Sequence, residues 1–205
     1  MKKFLELGGV AAAIVLIAFG IGSIALGING RSTVRSNLKA EGIVGTPDMT
    51  PSAIASESKQ AGLAGVSLPS CSVAGKAVDT GSRARCFASY MRIHALEATG
   101  GKTYSQMPRF ATADGKGTND PKLSVMGPNG RPTDNALRNV WVTETALSTA
   151  LNTSYMAEKL ALFGMIVGIA LLLSGIGFGI LALGGGLQGV STLARRGVRP
   201  HPAAA

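Results

Sequence analysis

LALFGMIVGIALLLSGIGFGILAL, residues 160–183, is an uncharged apolar run long enough to decide the architecture of the chain. A helix needs about 20 such residues to cross a hydrocarbon core of about 30 Å. A second run, LGGVAAAIVLIAFGIGSIALGI at 7–28, passes the same test. Between the two lie 131 residues rich in Gly, Ser, Thr and Pro. The pattern predicts a mainly α protein, a two-helix transmembrane hairpin with a long, partly irregular extracytoplasmic domain inserted between the spans. The expected plan is a cytoplasmic N-terminus at 1–6, spans at 7–28 and 160–183, an external domain at 29–159 and a basic cytoplasmic tail at 184–205.

Charge sets the orientation. Lys and Arg total 20 against 11 Asp and Glu, a net charge of +9. The segment 29–159 carries 15 of the basic and 10 of the acidic residues, so it is only mildly basic and no nucleic-acid partner is expected. Basic residues close to span ends stay in the cytoplasm. Arg195, Arg196 and Arg199 follow the second span and only Lys159 directly precedes it, which puts its C-terminal end inside. The first span, with Lys2 and Lys3 before it and Arg31, Arg35 and Lys39 after it, is ambiguous alone. Two spans bring both termini to one side, so the second decides. Lys2, Lys3 and the small residues Ser23 and Ala25 resemble a cleavable signal, but the apolar run exceeds the roughly 7–15 residues of a signal core. An uncleaved anchor in the plasma membrane is expected.

Cys71 and Cys86 both fall in the central segment. Paired in an oxidising compartment they would close a loop worth about 3 kcal/mol; two free thiols are the alternative. Two Cys without C-x-x-C spacing or a nearby His pair do not make a zinc site.

The central segment reads as helices between turns. Residues 31–41 form a basic stretch that either continues the first helix, rests on anionic headgroups or is a solvated helix end. Thr50 as N-cap, Pro51 at the first position and Gly62 past the end predict a helix over 51–61. The stretch 62–81 has no period and is expected to be irregular, with at most one short strand. A stronger helix is predicted at 83–98, with Phe87, Tyr90, Met91, His94 and Ala98 on one face and Arg85, Ser89 and Arg92 opposite. Gly100 and Gly101 end it. Residues 108–132, dense in Gly, Pro, Asn and Asp, predict an extended, poorly ordered loop. A last helix from about 135 meets no Pro or Gly before the second span and is expected to run unbroken to 183. Trp141 precedes that span by about 28 Å of helix and should pack within the domain. Tyr155 is close enough to anchor at the interface.

The spans carry small-residue stripes: Gly9, Ala13, Gly20 and Gly27 on the first, and Gly164, Gly168, Gly175 and Gly179 on the second. Such stripes let helices approach closely in lipid. They suit pairing of the spans with each other, a homo-oligomer, or docking on a larger protein. Neither span carries an ionisable residue in its interior, which argues against a transporter or channel acting alone.

His94-Ala-Leu-Glu-Ala-Thr-Gly-Gly-Lys-Thr-Tyr104 is the segment where chemistry could reside. Gly101, Lys102 and Thr103 mimic the end of a phosphate loop, but Leu96 stands where its first Gly is required and a helix precedes it. His94 and Glu97 at i, i+3 could offer two metal ligands, short of a full site, and the other histidine, His201, lies in the tail. Residues 114–120 have oxygen donors without calcium-loop spacing.

The same segment, followed by Asn152-Thr-Ser-Tyr-Met156 and the second span, resembles a family of small actinobacterial two-span membrane proteins with a HALEATGGKTY motif. The resemblance covers roughly 90–104 and 152–183, with 108–143 as an apparent insertion. Members are often labelled aromatic ring-opening dioxygenases, a class that holds iron with two His and a carboxylate. One His between the spans falls short of that set, so no cofactor, no metal and no catalytic residue is expected. The expected function is non-enzymatic: a membrane protein whose external domain binds a protein or envelope partner. Its surface is expected to run through Tyr90, His94, Glu97, Gly100, Gly101, Lys102 and Tyr104. An accessory subunit docked through the glycine stripes is the alternative, and a metal-dependent enzyme a more distant one.

Overall fold

The computed structural model describes residues 2–184; the expected tail at 184–205, with its arginines, lies almost wholly outside them. Four helices account for most of the chain: α1 (Lys2–Ala40), α2 (Pro51–Gln60), α3 (Gly81–Ala98) and α4 (Leu137–Leu183). Single 3₁₀ turns occur at Tyr104–Gln106 and Pro121–Leu123. Among the described residues there is no β-strand, only isolated bridges, so the fold is mainly helical. The helical ends follow local chemistry. Thr50 Oγ1 accepts from the Ala53 N–H at 3.2 Å, and Thr80 does the same for Arg83 at 3.3 Å, each removing an orphan donor.

The described residues divide into two compact units, one comprising residues 2–31 and 160–184, the other Ser32–Lys159. In the first unit the apolar parts of α1 and α4 are both long and hydrophobic enough to cross a membrane. They pair through the glycine stripes. A Cβ added at Gly20 would lie 2.8 Å from the Leu172 nitrogen and 2.9 Å from the Gly168 oxygen, and one at Gly168 would lie 2.8 Å from the Gly20 oxygen. Gly27 and Gly175 are as tightly faced, by the Ala161 oxygen at 2.7 Å and the Ala13 oxygen at 3.0 Å. Gly164 and Gly179 meet Ser23 and Ala13 at ordinary contact distance, and Gly9 is half-buried. Ser23 Oγ donates to the Gly164 carbonyl at 2.8 Å. The opposite faces carry large exposed side chains, among them Phe19, Leu26, Phe163 and Leu173.

The second unit is built around α3. The main core gathers Leu38, Met49, Ile54, Val73, Val78, Ala84, Phe87, Tyr90, Ile93 and Leu151, and a smaller one gathers Ala95, Leu96, Met107 and Trp141. Because α3 contributes to both, it is buried on most of its circumference rather than on one stripe. Ala84, Ile93 and Leu96 join the buried set, while Ala98, placed on the apolar face by the helical wheel, is exposed. Only Ser82, Arg85, Arg92 and Ala98 of the helix are exposed. The stretch 31–41 continues α1 as far as Ala40, and Val34 and Leu38 pack into the core.

The irregular stretch 62–80 is held to α3 by the bond between Cys71 and Cys86, whose Cα atoms are 6.1 Å apart. Tyr90 Oη donates to the Cys71 carbonyl at 2.6 Å. No strand forms there; single bridges join Val44 to Ala77 and Gly45 to Ala74. Gly45 is required, since a Cβ would fall on the Val73 carbonyl oxygen. Residues 108–132 are likewise not a slack loop. Phe110 and Thr118 exchange both backbone hydrogen bonds at 2.9 Å, and Val125 bonds both Ala111 and Thr133. Turn residues create a compact hydrogen-bonded knot with too few consecutive pairs to count as a ladder.

Candidate functional site

The C-terminal half of α3 carries the motif, and its residues divide into three roles. Tyr90 is wholly buried, so it belongs to the core and not to a surface as the sequence reading placed it. Burial, and then the Asp48 charge, push its phenol above the ordinary range.

The second role is a helix stop. The Gly101 N–H bonds the Leu96 carbonyl at 2.7 Å and the Gly100 N–H bonds that of Glu97 at 3.2 Å, with both glycines at positive φ. This is a Schellman motif, and it needs residues tolerant of left-handed backbone. It turns the Lys102 carbonyl back toward α4, where Trp141 Nε1 donates to it at 2.8 Å. The Thr99 hydroxyl lies 2.7 Å from the Ala95 carbonyl and 2.6 Å from that of Lys102. The glycines and the Lys102 backbone therefore lock the helix end; the Lys102 side chain and Tyr104 stay exposed.

The third role falls to His94 and Glu97, which meet two carboxylates from other elements. Asp48, in the turn before α2, places Oδ2 2.9 Å from His94 Nε2. Glu57 projects from α2, and one ligand atom from each of Asp48, Glu57 and His94 lies within 4.8 Å of the others. All three are half-buried. The Asp48–His94 approach lacks hydrogen-bond alignment, so His94 Nε2 is shielded from solvent facing the Asp48 carboxylate without a directed hydrogen bond, and Glu97 Oε1 is shielded with no hydrogen-bond partner. A hydrogen bond from the Thr46 side chain, reinforced by His94, holds the Asp48 carboxyl below its usual range. Burial raises that of Glu97, with His94 opposing and the Glu57 and Asp48 charges adding to the rise. Sequence reading paired His94 with Glu97 alone. Asp48 and Glu57 carry no local signal, because only the packing of α2 on α3 brings them in.

Beside the motif lies a groove along α4. One depression of about 390 Å³ is lined by Tyr104, Arg109, Asp134, Arg138 and Val142 among others. A more apolar one of about 600 Å³ is lined by Tyr104, Trp141, Val142 and Ala146 among others. They share Tyr104 and Val142, which are 45% and 56% exposed. The Arg138 guanidinium stacks 3.9 Å from the Tyr104 ring centre, with its Nε buried and unbonded. Arg109 approaches Asp134 only to 4.0 Å.

Compared with protein-family models, curated proteins and solved structures, the chain matches none.

Proposed function

We propose that this chain is a two-span plasma-membrane protein that holds its 29–159 domain outside the cytoplasm to bind a protein or envelope partner, without catalysing a reaction. The exposed Phe, Leu and Ile side chains around both long helices support the membrane location. Apolar faces of that extent are stable against lipid and costly against water. The disulfide and the basic residues after the second span support the orientation.

The observation that carries the binding role is the groove along α4. An exposed aromatic ring, a stacked guanidinium and a second, loosely paired arginine form one end, and apolar side chains form the other. This suits an extended partner segment with an anionic group near Arg109 and Arg138 and an apolar group on Val142. Gly20, Gly27, Gly168 and Gly175 are taken up by the pairing of the two spans, which leaves the accessory-subunit reading without those glycines as its docking face.

A photo-cross-linking residue at Val142 in intact cells tests the reading. A discrete adduct, lost on Tyr104→Ala and Arg138→Glu, is expected. No adduct, or one indifferent to both substitutions, would sink the binding role.

A further inference from the structure

We propose that Asp48, Glu57 and His94 form a binding site for a divalent transition-metal ion at the junction of the 41–50 turn, α2 and α3, with Glu97 as its supporting carboxylate. The proposal does not depend on the partner-binding reading, since the α4 groove is built from other residues.

Three features carry it. The first is spacing. Ligands around one ion at about 2.0–2.2 Å lie about 3–4 Å from one another, and the three donor atoms already lie within 4.8 Å, so small side-chain adjustments close the set. The second is the unmet bonding capacity described above. One oxygen of Glu97 is enclosed without a hydrogen-bond partner, and the ring nitrogen of His94 faces the Asp48 carboxylate without a directed hydrogen bond, which is costly for polar atoms unless something binds there. The third is charge. Asp48, Glu57 and Glu97 converge, and among the described residues no Lys or Arg forms an ion pair with any of them. A dication would offset most of that negative charge.

Ligand chemistry narrows the ion. One imidazole with carboxylates suits zinc or another first-row transition ion, whereas calcium prefers a cage of oxygens alone. Three protein ligands would leave a coordination position for water. Glu97, one helical turn from His94, is placed to hold the imidazole or that water, which is how outer carboxylates tune such sites.

The test uses the full chain in mild detergent, purified through a tag without histidine and stripped with a chelator. Zinc alone is titrated by calorimetry, with bound metal counted by elemental analysis. One ion per chain is expected, with affinity falling at least about tenfold in both His94→Ala and Glu57→Gln. Glu57→Gln preserves side-chain volume, and its chelator-treated melting temperature is expected to match the parent, which separates lost ligation from lost folding. Absence of stoichiometric zinc in the parent, or parental affinity in either variant, overturns the proposal.

Discussion

Trp141 Nε1 and the Lys102 carbonyl oxygen, 2.8 Å apart, tie the end of the motif helix to α4. The indole is 4% exposed and packs with Ala95, Leu96 and Met107, so one residue closes the smaller core and receives the reversed backbone after the two glycines. A segment that looks like a surface signature in sequence is thus largely an internal lock. The polar side chains the motif keeps outside that lock are the half-buried His94 and Glu97 and the exposed Lys102 and Tyr104.

Removing that tie should be measurable. Trp141→Phe keeps most of the ring packing and loses the N–H donor, which should cost about 1–2 kcal/mol. Trp141→Ala adds a cavity and should cost about 3–5 kcal/mol. Denaturant unfolding of the full chain, followed by helical circular dichroism, reads both. Equal losses in the two variants would show that the hydrogen bond is not the lesser share.

Glu158 does for the start of α3 what Trp141 does for its end. Its Oε2 accepts from the Gly81 N–H at 2.6 Å, and Oε1 accepts from Arg35 Nε at 2.9 Å. The carboxylate sits at the positive end of the helix and is 8% exposed. Glu158→Ala should cost about 1–3 kcal/mol by stranding the Gly81 donor, and Arg35→Ala less, because that side chain is partly solvated. The same unfolding assay ranks the two, and the reverse order would refute the assignment.

Alkaline stability should report on Tyr90. Its phenol is raised above the ordinary value near 10, first by burial and then by Asp48. A group whose folded-state pKa exceeds its unfolded value contributes stability that is intact below the unfolded pKa and is lost as pH rises through the folded one. The parent should therefore lose stability above pH about 10 more steeply than Tyr90→Phe, which lacks the titrating proton. At neutral pH the variant should be weaker by about 1 kcal/mol, for the lost bond to the Cys71 carbonyl. Parallel pH profiles would contradict this account.

Pairing of the spans is open to a chemical test. A Cβ at Gly179 would lie 3.7 Å from that of Ala13, within the range of a disulfide. Ala13→Cys with Gly179→Cys should cross-link in isolated membranes under a mild oxidant. Adding Gly168→Ile, which drives a side chain into the Gly20 carbonyl, should abolish most of that cross-link. Undiminished cross-linking would mean the stripes do not hold the helices together.

The Cys71–Cys86 bond bears on orientation as well as stability. A membrane-impermeant maleimide should label intact cells only after reduction, and Cys71→Ser with Cys86→Ser should lower stability by about 3 kcal/mol. Labelling that requires cell lysis would place the domain inside.

By itself the sequence determined whatever a few neighbouring residues can encode. Hydropathy over 7–28 and 160–183 set the two long apolar helices. The hydroxyl of Thr50 and the glycines at 62, 100 and 101 set where helices begin and end, because capping involves groups within a single turn. Trp141 could be placed inside the domain by counting helical rise alone. Tertiary structure decided what depends on distant segments meeting. A helical wheel finds one apolar face, but α3 is covered from several sides, so Ile93 is buried and Ala98 exposed, and Val34 and Leu38 of the first helix become core. Asp48 and Glu57 reach His94 only because α2 packs on α3. Local propensity cannot report such a meeting, since Asp48 and Glu57 carry no local signal and only chain closure, pinned by the disulfide and the buried core, brings their ligand atoms to His94.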